Sequence, residues 1–456
     1  MNYTEYFSSL RGKNITVVGF GVSNRPFVSM LTENGANVTV RDKNEISDDV
    51  RSEFKDVNFI TGESYLKNMT DEFIFKTPGM RRDIPEFLEA EKNGSKVTSE
   101  MQLFFELCPC RIIAVTGSEG KTTTTTLIFN ILKEQGHTVF LGGNIGTPLL
   151  PRISQMKPED IVIAELSSFQ LFDMSVSADT AVITNIVEEH LNWHTSMAEY
   201  IEAKKTVFCH QTENGRLILN ADYETTRSLA SDAKGKTEFF SRKTSVESGT
   251  FLNENGFIVH KDETGSIMLL HKDQIKIPGD HNVENFMAAI CATWGLADIA
   301  TYRKVAQEFG GVEHRMEFVR EKNGVKYYND SIATSPTSVI ACLKSQTQKI
   351  ITISGGSDKN LNYSDVAPYI IKHVKHMILT GQTAQKIYKA VTECDGYDPK
   401  ETVIEFADGM EEAVKKAYAC AKEGDIVYLS PISASFDCYR NFEERGKHFK
   451  ALVNKL

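Results

Sequence analysis

Residues 111–132 read RIIAVTGSEGKTTTTTLIFNIL. Residues 112–115 are an apolar, β-rich run of the kind buried in a parallel sheet. Gly117, Ser118, Glu119, Gly120 and Lys121 follow, then five threonines. Leu127, Ile128, Ile131 and Leu132 recur at helical spacing until Gly136 stops the pattern. Strand, glycine loop and helix in this order make a phosphate cradle. Gly117 and Gly120 let backbone N–H groups approach an anion, the helix N-terminus adds partial positive charge, and Lys121 adds a full one. Thr122 or Thr123 can offer a hydroxyl to magnesium. Val115 stands where GxxxxGK[ST] wants its first glycine, so the loop is a shortened TGxxGKTT relative. The bland alternative is a glycine turn before an ordinary helix.

Outward from this stretch the α/β alternation continues. Residues 139–141, 161–164 and 181–184 read as strands. They lead into Gly142 to Gly146 with Asn144, into Glu165 with Ser167, and into a loop reaching His190. A carboxylate at a strand's carboxyl end suits magnesium, which prefers oxygen ligands. His190 and His194 lack any HExxH context, so a hydrogen-bonded structural histidine is the plain alternative, kept for His194. Residues 238–277 read as antiparallel β decoration on this central sheet. Asn282 and Asn285 share a helical face and suit either a planar heterocycle or simple capping. Gly310 and Gly311 suit a hinge. Arg315 just beyond could reach a phosphate or stand solvated.

Before residue 109, residues 15–18 form a strand ending in Gly19, Gly21, Val22, Ser23 and Asn24. A helix follows, then a strand closed by Asp42. This βαβ opening has a glycine turn at its phosphate-facing end; Asn24 replaces the third glycine of GxGxxG, so a diphosphate ligand, a dinucleotide or a plain turn all stay open. A later strand, 73–75, ends in Lys76, Thr77, Pro78 and Gly79. After residue 311, strands at 326–328, 350–353, 377–379, 403–406 and 426–429 run mostly into polar or glycine loops, an arrangement that forms small-ligand sites. The expected architecture is α/β in three domains: a Rossmann-like domain at 1–108, a P-loop parallel sheet with β decoration at 109–311, and a second Rossmann-like domain at 312–456.

Composition agrees. The 456 residues are 41% hydrophobic and 25% charged, as in a soluble globular protein, with no run long enough to span a bilayer. A formal charge of −10 argues against general nucleic-acid or membrane-surface binding. Eight scattered cysteines without metal-ligand spacing read as reduced thiols, and the N-terminal residues lack a signal-peptide core, so a cytoplasmic protein is expected.

TGSEGKTT, ELSSFQL, NIVEEHLNWH, YIEAKK, PGDHNVEN, EHRME, NDSIATSP, ISGGSDKN and SPISASFD occur in this order. With these motifs the chain resembles the Mur ligases of bacterial peptidoglycan synthesis over nearly its whole length. Folylpolyglutamate synthases share the central and last modules but not the first. The resemblance implies an ATP-dependent amide ligase, and within the family it points to addition of D-glutamate to UDP-N-acetylmuramoyl-L-alanine through an acyl phosphate. It implies one domain each for UDP-sugar, ATP and amino acid, two magnesium ions, and a monomer. Lys121 and Thr122 would serve ATP phosphates and magnesium; Glu165 and His190 would hold a second magnesium. Tyr200 selects Lys204 over Lys205 as the lysine that the family carbamylates. Asn144 and Ser167 would contact the sugar substrate; Asn282, Asn285, Arg315 and Asp330 would surround the nucleotide. Thr334, Lys359, Ser435, Phe436 and Phe442 would flank the amino acid, with Lys359 pairing a carboxylate. Ser118 and Glu119 replace a usual Thr-Asn, and Ile332 replaces a frequent lysine, leaving more charge neutralisation to Lys359 and Arg315. A sister ligase, a P-loop ATPase and a non-catalytic homologue are the rival readings.

Overall fold

The computed structural model describes residues 2–21, 24–344, 346–358 and 361–456. Val22, Ser23 and Lys359, expected in binding loops, lie outside the described residues. The chain divides into two compact units, Met1–Phe309 and Gly310–Leu456.

The first unit holds two sheets. In one, β1 (Asn14–Val18), β2 (Asn37–Asp42), β3 (Val57–Thr61), β4 (Phe73–Lys76) and β5 (Lys96–Thr98) run parallel in the order β3-β2-β1-β4-β5. Strand order reverses at β1, so the loops leaving β1 and β4 flank a switch point, where such sheets bind ligands.

The other contains β6 (Arg111–Thr116), β7 (Val139–Gly143), β8 (Ile161–Glu165), β9 (Thr180–Ile183), β10 (Arg216–Asn220), β11 (Lys236–Ser241), β12 (Gly249–Leu252), β13 (Phe257–Asp262) and β14 (Gly265–His271). Their order is β14-β13-β12-β11-β10-β9-β6-β8-β7. β6 is an inner strand between β9 and β8, and Ile113, Ala114 and Val115 are wholly buried, which explains its unbroken apolar run. The helix Lys121–Glu134 returns over the sheet and buries Leu127, Ile128, Ile131 and Leu132. The expectation of antiparallel decoration over residues 238–277 needs correction. β11 and β12 extend the sheet in parallel; β13 alone runs against it, so only the β12–β13 and β13–β14 pairings are antiparallel. Direction depends on how the chain crosses between strands, which local pattern does not encode.

The second unit has one sheet: β15 (Glu317–Lys322), β16 (Val325–Asn329), β17 (Ile350–Ser354), β18 (Val374–Leu379), β19 (Val403–Phe406) and β20 (Ile426–Leu429), ordered β15-β16-β20-β17-β18-β19. Five of the six match the expected strands. β15 was not foreseen, because its charged residues Glu317, Arg320, Glu321 and Lys322 hide an edge strand that pairs antiparallel with β16. No described helix is long and apolar enough to cross a membrane.

Candidate active site

The loop leaving β6 is shaped by two glycines that nothing larger could replace. Gly117 has φ +148°, and a Cβ there would lie 1.9 Å from Thr184 Oγ1. Gly120, at φ +79°, caps the helix Lys121–Glu134, and its Cβ would lie 2.3 Å from Asn285 Oδ1. Long-range bonds brace the loop. The Glu119 amide donates to Asn185 Oδ1 (2.9 Å), Thr184 Oγ1 donates to the Glu119 carbonyl (2.5 Å), and Ser118 Oγ meets the Tyr200 hydroxyl (2.9 Å). The Glu119 side chain is exposed.

Two lysines converge on this loop. Lys121 Nζ donates to the carbonyls of Gly117 (2.9 Å) and Ser118 (2.5 Å), and Lys204 Nζ donates to the same Gly117 carbonyl at 2.7 Å. Lys204 is buried on the helix Met197–Cys209, its ammonium over the Tyr200 ring. Burial holds its amine well below the ordinary lysine value; the Lys121 charge lowers it further, against Glu189 and Glu165. A cation without solvent and beside another cation favours its neutral form.

β8 runs beside β6 with Glu165 opposite Val115, so its carboxylate emerges where the glycine loop begins. Glu165 is 1% exposed. Its Oε1 accepts from Asn144 Nδ2 (2.9 Å), but buried Oε2 has no hydrogen-bond partner among the described residues. A bare buried carboxylate oxygen is costly unless something positive meets it, so this position fits a hard cation. Among the described residues no three His, Cys, Asp or Glu side chains converge into a closed metal cage.

His190 adopts φ +59°, an uncommon left-handed conformation for a non-glycine residue. Its ring lies 4.9 Å from Phe169, with Nε2 3.6 Å from Glu189 Oε1. Burial lowers its pKa, with Glu189 opposing and Lys121 and Lys204 reinforcing, so Lys121, Lys204, Glu189 and His190 act on one another's charge. Buried His194 instead bonds Ser168 Oγ (2.9 Å) and stacks on Phe169, a structural role. Ser167 caps the helix Ser168–Leu171 in a reciprocal pair with Gln170.

Asn282 and Asn285 do not cap their helix, whose N-cap is Gly279. Asn285 receives a bond from Thr124 Oγ1 (3.2 Å) and donates to Asn282 Oδ1 (3.2 Å), while Asn282 donates to the Pro278 carbonyl (2.6 Å). Asn285 thus ties the helix Asp280–Thr293 to the loop helix, with Asn282 bracing it. Thr122 is buried in that helix's first turn, and Thr123 is half-buried beside it.

At the edge of the first sheet, Gly19 has φ +87°, and a Cβ there would meet the Thr77 side chain at 2.9 Å. Asp42 accepts from the backbone amides of Phe20 (2.7 Å) and Asn44 (2.8 Å), so it braces this loop. Gly21 and Gly79 face open space, and the Gly79 carbonyl accepts from Trp193 Nε1 (2.9 Å). Pro78 separates Thr77 from Gly79 in the same loop.

In the second unit, Asp330 follows β16, wholly buried. Its Oδ1 accepts from the Met316 amide (3.1 Å), and burial pushes its carboxyl up to about 6 against the Arg315 charge. Arg315 is exposed, and Thr334 is half-buried. Ser331 Oγ donates to the Phe442 carbonyl (2.7 Å), Ser435 is buried, and Phe436 is 64% exposed. Asp330, Ser331 and Thr334 follow β16, and Ser435 and Phe436 follow β20; the two strands are neighbours.

Sequence reasoning missed Glu189, Arg81 and Arg445. Glu189 was visible inside NIVEEH but overshadowed by His190. Buried Arg445 donates to the carbonyls of Ser331 (2.9 Å), Ser433 (3.1 Å) and Ala434 (3.0 Å), holding two strand-end loops together. It is the fourth residue of the helix Phe442–Asn454, with no local signal.

The Mur ligase middle domain matches residues 115–293, and the Mur ligase glutamate ligase domain matches residues 314–432. A UDP-N-acetylmuramoylalanine–D-glutamate ligase of Acetivibrio thermocellus is 49% identical over 99% of this chain and 98% of the relative. The chain belongs to the Mur ligase family. Relatives of the same name in Ruminiclostridium cellulolyticum and Clostridium kluyveri are 45% and 44% identical, covering 99% and 100% of this Mur ligase and 98% and 99% of themselves. Solved structures share its fold at low identity. UDP-N-acetylmuramate-alanine ligase MurC of Thermotoga maritima has a TM-score of 0.56 at 18% identity, covering 97% of this Mur ligase and 99% of that chain. MurF of Thermotoga maritima in complex with ADP has 0.53 at 19% identity, covering 98% and 97%.

Proposed function

We propose that this Mur ligase joins D-glutamate to UDP-N-acetylmuramoyl-L-alanine with consumption of ATP, in the cytoplasm and as a monomer. The observation that carries the reading is the shared name of relatives 40–49% identical along essentially the whole chain. The Glu165, Lys121 and Lys204 geometry supports it.

The reading gives residues 1–108 to the UDP-sugar in a Rossmann-like domain, residues 109–311 to ATP, and residues 312–456 to the amino acid in a second Rossmann-like domain. The N–H groups of the 117–120 loop and the Lys121 ammonium hold the ATP phosphates. Thr122, Glu165, His190 and carbamylated Lys204 would hold two magnesium ions. Magnesium, when bound, offsets charge on the transferring phosphoryl group. Carbamylation needs the free amine, which burial of Lys204 favours: the ammonium first gives up one proton, then the nitrogen bonds to the carbon of CO2 and gives up a second, so that a cation is exchanged for an anion.

A carboxylate resists an amine because it is anionic and lacks a good leaving group. Its oxygen takes the γ-phosphoryl group, ADP departs, and the acyl phosphate carries a competent leaving group. The D-glutamate amine then attacks the carbonyl and gives up a proton, and phosphate leaves with its bonding pair. Lys121 stabilises charge on the phosphoryl oxygens during the first step. Asn144 orients Glu165 and faces the sugar substrate with Ser167. Arg315 and Asp330 attend the nucleotide, while Thr334, Lys359, Ser435, Phe436 and Phe442 receive D-glutamate.

Phosphate release measured with UDP-N-acetylmuramoyl-L-alanine and ATP, varying the amino acid, tests this. Dependence on D-glutamate is expected. Release with another amino acid alone marks a sister ligase, release without any amino acid marks an ATPase, and none under any condition marks a binding homologue.

A further inference from the structure

Residues 77–83 leave the switch point of the first sheet and lean on the central sheet within the same unit. Arg81 makes the main contact. Its Nη1 and Nη2 donate to Glu199 Oε2 and Oε1, both at 2.9 Å, and Nη1 also donates to the Trp193 carbonyl at 3.2 Å. Asp83 accepts from Nε (2.8 Å) and Nη2 (2.6 Å). The guanidinium lies 4.7 Å from the Phe172 ring and 5.1 Å from the Trp193 ring, and its side chain is 20% exposed. An ordinary surface ion pair contributes little. A forked pair between aromatic faces fixes distance and angle together, which a lysine cannot reproduce.

Both ends of the contact lead to the reaction site. Glu199 belongs to the helix Met197–Cys209, next to Tyr200 and one turn and a fraction before Lys204. The Tyr200 hydroxyl meets Ser118 of the glycine loop. Glu199 Oε2 also accepts from the Thr195 amide (2.8 Å) and lies 3.4 Å from His194 Nδ1. His194 Nε2 in turn meets Ser168 Oγ, shortly after Glu165. On the other side, Arg81 stands two residues past Gly79, whose carbonyl Trp193 holds. The buried ion pair of Lys76 with Asp173 anchors the strand end from which this loop departs.

We propose that Arg81 is a positioning residue that couples occupancy of the sugar-side loop to the placement of Lys204 and the glycine loop. This rests on reading those loops as the UDP-sugar and ATP sites. A ligand that orders residues 77–79 reaches Glu199 through Arg81, and the helix carrying Lys204 follows. Binding linkage is reciprocal, so each ligand tightens the other by the same factor.

The test is calorimetric titration of the full chain with a non-hydrolysable ATP analogue and magnesium, with and without UDP-N-acetylmuramoyl-L-alanine. The wild type is expected to show mutual tightening of about fivefold or more. In Arg81→Ala each ligand alone should bind within about threefold of wild type, while the coupling factor falls to near one. Arg81→Lys should not restore it. Glu199→Gln should also lose coupling, and the double variant should lose nothing further. If Arg81→Ala does not fold, Glu199→Asp, which shortens the fork's partner by one methylene, carries the same expectation. Absence of coupling in the wild type, or coupling unchanged in the variants, overturns the proposal. A wild type lacking D-glutamate-dependent phosphate release overturns the functional reading instead.

Discussion

At the Gly117 carbonyl two lysine amines compete for one acceptor, and one of them is buried. Lys204→Ala is expected to abolish ligation, with partial recovery on adding short carboxylic acids, measured as D-glutamate-dependent phosphate release. Full activity without rescue would remove the carbamate from the mechanism. Gly120→Ala places a Cβ against Asn285 and forces a left-handed conformation on an L-residue. It should cost about 1–2 kcal/mol of stability and weaken ATP binding at least about tenfold, read by denaturant titration and calorimetry. His260 illustrates a pH effect away from the site. It is buried, stacked 3.7 Å from Trp294, and burial lowers its pKa to about 4, against Glu238 and Asp262 and with Lys236 and Arg216. The unfolded histidine takes up its proton near pH 6.5, whereas the folded one resists until about pH 4. Its contribution is therefore complete above pH 6.5 and is lost as pH falls through that window, by up to about 1.4 kcal/mol per pH unit. His260→Phe should flatten the dependence of the urea midpoint between pH 7 and pH 4.5; an unchanged slope would contradict this.

The element carrying most of the catalytic argument was legible because its signals are local. An apolar run, two glycines, a lysine and a helical repeat all lie within 22 residues, and the structure has β6, loop and helix in that order. Glu165 was legible for a similar reason, as the first charge after a strand's apolar run. Contacts made across the fold were not. The clash that fixes Gly120 comes from Asn285, and the parallel pairing of β12 depends on a crossover that its own residues do not specify. Arg445 reads as an ordinary helical arginine in NFEERGKHF, yet it is buried and bonded to three carbonyls, with burial lowering its pKa to about 10. Arg445→Met would strand those acceptors, so the second unit should lose about 2–4 kcal/mol. A melting profile indistinguishable from wild type would show that water replaces the guanidinium at no cost.

Over the whole molecule, two compact units of separate sequence suggest two unfolding transitions. The glycine loop belongs to the first. Magnesium with ATP at a hundred times its dissociation constant should stabilise that transition by about 2.7 kcal/mol. Scanning calorimetry of the full chain reads both; a single peak moving as one would reject independent units. The boundary itself has a consequence for biogenesis. Because Met1–Phe309 is contiguous, every strand of its two sheets has been translated before Gly310 is added. At about 5–20 residues per second, a ribosome needs roughly 7–30 seconds more to translate residues 310–456. The nascent chain thus has time to close its slow, long-range parallel pairings undisturbed, before a second set of sticky strand edges emerges to compete with them.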